Sequence, residues 1–265
     1  YASGPLLQVA TYRGIPALLQ EQNSFPGVTN RLLGKRAQKV CVAYEGMERF
    51  FAPEKLLLLG NPVRRALQHI TATRAEGAAH FGFDPQKPIL FVFGGSLGAR
   101  SINQAMEANA EQLRERHEVQ VLWQYGKLYE EQFRQGETAQ LPNVRAQAFI
   151  DRMDLAYAMA DVIIARSGAL TISELQFAGK PAIFIPSPNV AEDHQTKNAK
   201  ALADQDAAIL LPDAEAKARI LTEAFALLDK PQRRQQLSEN IKKRAMPNAA
   251  DRIAEEVLQM AKNKR

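Results

Sequence analysis

The chain has 265 residues, 46% hydrophobic and 24% charged, with a formal net charge of +5. This is globular composition with material for a sizeable core, in one large domain or two ordinary ones. The single cysteine, Cys41, excludes a disulfide framework and favours a reducing compartment, while the small basic excess suits an anionic ligand or an acidic membrane surface and is too weak to argue for nucleic acid.

From the N-terminus, the first strand candidates are Ala17–Gln20, Lys39–Ala43 and Leu56–Leu59. Cys41 lies in the second and reads as a small core residue. Gly60-Asn61-Pro62-Val63 is a turn-rich joint. Beyond it come strand Ile89–Phe93, helix Ala99–Arg114, strands Val119–Gln124 and Val144–Phe149, and helix Met153–Met159. Strand Val162–Ala165, helix Leu170–Phe177, strand Ala182–Ile185, helix Gln195–Asp204, strand Ala208–Leu211 and helix Ala214–Leu228 follow. Two last helical patterns, Arg233–Arg244 and Ala249–Lys264, flank Pro247, where a break or kink is expected. The strands are almost continuously apolar, as strands covered on both faces must be. Alternation of strand and helix predicts parallel sheets with right-handed crossovers. Ile89 to Leu211 supplies a complete doubly wound unit of six strands, whereas only three precede Gly60, so the first domain reads as incomplete. No run reaches the length of a membrane-spanning helix, and no signal peptide is visible.

Three loops at strand ends carry the chemistry. Gly94-Gly95-Ser96-Leu97-Gly98 follows an apolar strand and leads into a helix. Glycines let a backbone approach closely, and a helix start offers unpaired N–H groups, so the loop reads as a phosphate cradle over a bare tight turn. It lacks the G-x-G-x-x-G spacing of a dinucleotide site. Arg166-Ser167-Gly168 repeats the arrangement before a helix opening Ala169-Leu170-Thr171-Ile172-Ser173-Glu174. Thr171-x-x-Glu174 has capping-box spacing, and the same carboxylate suits a ribose diol; the residues alone leave these two roles level. In the third loop, after Ile185-Pro186, His194 reads as a helix-start residue in preference to a general base. His69, His80, His117 and His194 show no metal-ligand spacing, so neither metal nor cofactor is expected.

These pieces, in this order, resemble the MurG family of bacterial N-acetylglucosaminyltransferases over nearly the whole chain. The resemblance rests on Glu21-Gln22-Asn23 with Pro26-Gly27 and Thr29-Asn30, on Gly60-Asn61-Pro62-Val63-Arg64, on Gly94 to Arg100, on Phe149-Ile150-Asp151, on Arg166 to Glu174, and on Asp193-His194-Gln195 with Asn198-Ala199. It implies an α/β chain of GT-B glycosyltransferase architecture, two Rossmann-like parallel-sheet domains, the first incomplete. Residues 1–62 would form the partial acceptor and membrane-side domain, with a C-terminal helix at about 248–265 packing back on it, and residues 63–247 the UDP-sugar-binding domain. The implied donor is UDP-N-acetylglucosamine. The implied acceptor is undecaprenyl-pyrophosphoryl-N-acetylmuramyl-pentapeptide, the configuration inverts, and no bound metal is needed. Gly95 and Ser96 would face the pyrophosphate, Ile150 would hold uracil through its backbone, and Ala169, Leu170, Thr171, Ile172 and Ser173 would supply the helix start. Glu174 would take the ribose hydroxyls, Gln195 the sugar hydroxyls, and Asn23 and Arg64 would reach the donor from the domain junction.

The sequence departs from the family in two places. Gln20 stands where the family often has histidine, and the family's first glycine loop, with its histidine, lies upstream of Tyr1. The expectation is therefore a fragment with little turnover by itself and a catalytic base outside it. The other reading is a non-catalytic UDP-sugar-binding module. Arg31, Lys35, Arg36 and Lys39 around Leu32 and Leu33 suggest contact with anionic lipid on the cytoplasmic face of the bacterial inner membrane, against the plainer reading of a solvated helix face.

Overall fold

The computed structural model describes residues 3–262. Tyr1 and Ala2 of the opening stretch, and residues 263–265, lie outside the described residues, as does the expected extension of the last helix to Lys264.

Two parallel sheets organise the chain. The first has order β1-β2-β3, from Leu18–Glu21, Lys39–Val42 and Leu56–Leu58. Helices α1 (Ser3–Tyr12) and α2 (Val28–Gly34) accompany it, and its core gathers Leu19, Leu33, Val40, Val42, Met47 and Phe51. The second sheet has order β6-β5-β4-β7-β8-β9. Its strands are β4 (Ile89–Phe93), β5 (Gln120–Gln124), β6 (Val144–Gln147), β7 (Val162–Ala165), β8 (Ala182–Phe184) and β9 (Ile209–Leu210). All pairs are parallel.

The central strand explains why alternation was absent from its sequence. Leu90 and Val92 enter one core with Ile102, Leu113 and Trp123, whereas Ile89, Phe91 and Phe93 enter the opposite one with Ile163 and Leu175. Successive side chains leave a strand on opposite faces, so both sets must be apolar when both faces are covered. Each such side chain stabilises the fold by roughly 1.5–3 kcal/mol.

Short helices α3 (Arg65–Gln68) and α4 (Arg74–Phe81) follow the first sheet in the chain and pack on helices beside the second. Along the second sheet run α5 (Arg100–Ala108), α6 (Ala110–Glu115), α7 (Glu130–Phe133), α8 (Met153–Met159), α9 (Ala169–Ala178), α10 (His194–Ala203) and α11 (Ala216–Leu228). The chain closes with α12 (Pro231–Lys242) and α13 (Ala249–Lys262). Val257, Met260 and Ala261 of α13 face Leu7, Ile15 and Leu18 across an apolar cavity of about 450 Å³, and Glu256 pairs with Lys39 of β2.

Several expected boundaries shift for identifiable reasons. The expected helix Ala99–Arg114 is two helices. Asn109 breaks it, its Nδ2 donating to Ala105 O at 2.7 Å and to Lys217 O at 2.8 Å, a side-chain competition typical of asparagine. Strand β6 stops at Gln147 instead of Phe149, and beyond it the Ile150 N–H donates to a side chain, Gln124 Oε1, at 2.8 Å. Helices α1, α2, α3, α4 and α7 match none of the expected helices, although α4 opens with a complete Thr73–Glu76 capping box.

Strand order fixes where a ligand can lie. From β4 the chain builds outward through β5 and β6, then returns to β4's other side for β7, β8 and β9. The loops after β4 and β7 therefore diverge, opening a crevice at the carboxyl ends of neighbouring strands.

Candidate active site

Two cavities open at that crevice. One, of about 670 Å³, is lined by Gly94, Gly98, Arg100, Arg166, Ser187 and Gln195 among others. The other, of about 280 Å³, is lined by Arg64, Ser96, Gln124, Phe149, Ile150 and Glu174 among others. Gly95 and Thr171 line both, so the two form one cleft.

The glycine turn after β4 is shaped by steric necessity. Gly98 has φ +84°, and a Cβ there would stand 2.1 Å from Tyr125 O. A Cβ on Gly94 would stand 2.3 Å from Ala99 N. The turn brings Ser96 to the surface, and no described residue accepts from its N–H. Helix α5 follows with Ala99 at its N-cap and no side-chain cap.

Helix α9 also starts uncapped, behind Gly168. The amides of Ala169, Leu170 and Thr171 have no partner within the helix, which leaves three donors and the positive dipole end facing the cleft. Ile172 differs, since its N–H already donates to Gly168 O at 3.0 Å and its side chain is fully buried. Ser173 is buried as well. Its hydroxyl donates to Ala169 O at 3.0 Å and accepts from Asn61 Nδ2 at 3.1 Å. Neither side chain opens onto the cleft.

The Thr171–Glu174 capping box does not form. Thr171 is the third residue of α9, beyond the cap, so its spacing to Glu174 has no capping consequence. Glu174 instead lies against α8, where Tyr157 Oη donates to its Oε2 at 2.9 Å. Arg64 Nη2 stands 3.6 Å from Oε1, with 67% of its side chain exposed against 17% for Glu174. Burial pushes the Glu174 carboxyl above its ordinary range, and Tyr157 and Arg64 pull it back in part. Burial also holds the Tyr157 phenol well above its usual value, helped by the neighbouring carboxylate.

Gln195, in the first turn of α10, lines the larger cavity. Its Oε1 accepts from Ser187 N at 2.9 Å, and its backbone oxygen accepts from Ser167 Oγ at 2.9 Å. Asn23 lies where the two sheets meet. Its Oδ1 accepts from Asn198 Nδ2 at 2.9 Å, and Asn198 Oδ1 accepts from Ser24 N at 2.8 Å and Ser24 Oγ at 3.0 Å. Glu21, also buried, organises this loop by accepting from Asn23 N, Gly27 N and Asn30 Nδ2. Asn61 makes a second link, accepting from Gln20 Nε2 at 2.8 Å and donating to Gln22 O and Ser173 Oγ. His194 keeps its Nδ1 on Ala191 O at 2.8 Å, at the start of α10.

The sequence reading passed over Gln124, Tyr157 and Asn61. Gln124 had a visible signal, a carboxamide at the carboxyl end of a strand whose preceding residues, Val121, Leu122 and Trp123, are apolar. Tyr157 had none, because helical periodicity does not say which buried phenol meets a carboxylate.

A model of the glycosyltransferase family 28 C-terminal domain matches residues 89–253. With two parallel-sheet units and a cleft at the switch point, the chain is a glycosyltransferase of the GT-B class. It is 46% identical over 265 residues to the UDP-N-acetylglucosamine–N-acetylmuramyl-(pentapeptide) pyrophosphoryl-undecaprenol N-acetylglucosamine transferase of Flavobacterium psychrophilum, covering 100% of this chain and 71% of that relative. It is 47% identical over 264 residues to the transferase of that name from Christiangramia forsetii, with the same two coverages. The solved structure of Acinetobacter baumannii MurG matches with a TM-score of 0.80 at 32% identity, over 98% of this chain and 71% of that one. The chain belongs to the MurG family.

Proposed function

We propose that this cleft holds UDP-N-acetylglucosamine and that the chain transfers N-acetylglucosamine, with inversion, to undecaprenyl-pyrophosphoryl-N-acetylmuramyl-pentapeptide in peptidoglycan synthesis. The observation that carries the reading is the pair of uncapped, amide-bearing turns flanking the strand-order switch, with a half-buried carboxylate in the adjoining cavity.

In this reading the diphosphate accepts from Ser96 and from the amides of Ala169, Leu170 and Thr171, beside Gly95. Negative charge grows on the β-phosphate as the sugar departs, and fixed amide dipoles meet it without reorganising. Arg64, largely exposed, can turn from Glu174 to the same phosphate. Glu174 accepts from the ribose diol. The Ile150 carbonyl receives no hydrogen bond from described residues and serves as acceptor for a uracil N–H. Gln195 approaches the sugar within the larger cavity, whereas Asn23 lines a separate neighbouring cavity of about 220 Å³ with Glu192 and His194 and reaches the donor from that side. Ile172 and Ser173 act behind the helix start, by packing and by tying it to Asn61. Bringing the walls together aligns the acceptor hydroxyl for in-line attack; its proton passes to a general base other than the cleft residues named above, and UDP leaves with the bonding pair of the broken glycosyl bond.

The lipid-linked acceptor implies work at a membrane, at the cytoplasmic face of the bacterial inner membrane. Of the basic cluster, Arg31 faces Glu192 and Lys39 pairs with Glu256, while Lys35, Arg36 and Leu32 stay exposed on and just after α2. These three form the anionic-lipid contact.

Calorimetric titration of UDP-N-acetylglucosamine into the chain and a Glu174→Ala variant tests the donor site. Binding should weaken by roughly 1.5–3 kcal/mol, the worth of hydrogen bonds to a charged group. Equal affinities would sink the ribose assignment. Transfer of sugar to the lipid-linked acceptor separates the transferase from a non-catalytic binding module.

A further inference from the structure

We infer that Gln124 is a positioning residue that sets the polarity of both ends of the nucleotide site. This rests on the reading of the cleft just given. Gln124 ends β5, is 3% exposed, and lines the smaller cavity. Its Nε2 donates to Gly95 O at 2.9 Å and its Oε1 accepts from Ile150 N at 2.8 Å. One carboxamide thus joins the glycine turn to the loop after β6.

Peptide geometry gives the consequence. The C=O of Gly95 and the N–H of Ser96 belong to one planar unit and point in opposite directions. Holding Gly95 O toward Gln124 turns the Ser96 N–H away from it, to the open side of the turn where an anion would lie. Gly95, at φ +90°, could otherwise rotate this unit at little steric cost. Gly98 N also donates to Gly95 O, at 3.0 Å, so the unit is gripped from two sides. At the other end, Gln124 occupies the Ile150 N–H and leaves the Ile150 carbonyl as the unpaired group. The base edge therefore meets an acceptor, and the phosphate meets a donor.

Gln124→Glu separates the two ends. The introduced carboxylate keeps the shape and still accepts from Ile150, but it cannot donate to Gly95 and repels that carbonyl. UDP affinity, measured calorimetrically at pH 8, should fall by roughly tenfold or more while uridine affinity changes less than about threefold. Lowering the pH protonates the introduced carboxyl and restores a donor, so the UDP affinity ratio of variant to parent should recover toward one. A merely structural defect would not reverse on acidification. Gln124→Met, which can neither donate nor accept, should lose both ligands. UDP and uridine bound by Gln124→Glu as tightly as by the parent would overturn the inference, as would equal loss of both without recovery at low pH. A parent chain that binds no UDP would overturn the underlying reading itself, a distinct outcome.

Discussion

The phenol of Tyr157 donates to the carboxylate of Glu174 across 2.9 Å, from α8 to α9, with Tyr157 fully buried. This contact partly offsets the burial that raises the Glu174 carboxyl. A carboxyl whose folded value is raised binds its proton more readily folded than unfolded, so by itself it favours folding as pH falls through that range. Binding of a ribose diol favours the ionised form, so donor affinity should decline on acidification at a pH above the ordinary carboxylate range. Removing the phenol withdraws a hydrogen bond that stabilises the charge. Tyr157→Phe should therefore move the acid limb of donor affinity to higher pH. Calorimetric titrations from pH 4.5 to 8 read this; coincident curves would separate Tyr157 from the donor site.

Gly98→Ala should destabilise the fold and empty the cleft. The added Cβ meets a backbone carbonyl, Tyr125 O, at 2.1 Å, and the position has φ +84°. Strain of this kind belongs with the larger single-residue effects, about 2–4 kcal/mol. Thermal unfolding should drop by several degrees, with loss of UDP binding. An unchanged melting temperature would show that the turn relaxes without cost.

Lys180 gives a second pH signature. Burial lowers its ammonium to about 8 from the usual 10.5, while Nζ donates to Ala158 O and Ala160 O. Between pH 8 and 10.5 the unfolded chain holds a proton the folded one has released, so this group makes stability rise with pH across that window. The buried tyrosines act oppositely, because their raised values cost stability once the unfolded phenol ionises above pH 10. The difference between parent and Lys180→Met isolates the lysine. Urea denaturation at pH 7.5 and 10 should show the parent gaining on the variant as pH rises; a constant gap would refute the assignment.

Replacing Lys35 and Arg36 with glutamate should reduce flotation with anionic liposomes and leave UDP affinity unchanged. Each basic residue near such a surface contributes about 1 kcal/mol at moderate salt. Undiminished flotation would remove these two residues from the lipid contact.

The sequence was most readable where chemistry is local. An apolar strand ending in Gly94-Gly95-Ser96 predicts both a buried β4 and a backbone turn with unpaired amides, and the six-strand unit follows from pattern alone. It was least readable where partners are distant in the chain. The residues alone left Glu174 level between capping and ribose binding, because its actual partner, Tyr157, reaches it only through the packing of α8 on α9. The break at Asn109 depends on Lys217 O, over a hundred residues away. Asn61 read as a turn residue, yet it links the end of β1 to Ser173 of α9. A carboxamide has donors and an acceptor on one short stem, and only the fold decides which neighbours use them.

The same carboxamides determine how the cleft responds to its surroundings. At the centre of the junction, Asn198, Asn23, Ser24, Asn61 and Ser173 make neutral contacts, while the charged pairs Arg31–Glu192 and Arg244–Glu45 are partly exposed at its rim. Added electrolyte weakens exposed charges and leaves buried dipoles nearly untouched. The junction between the two sheets should accordingly hold together in dilute and concentrated buffer alike, with only its charged rim loosening.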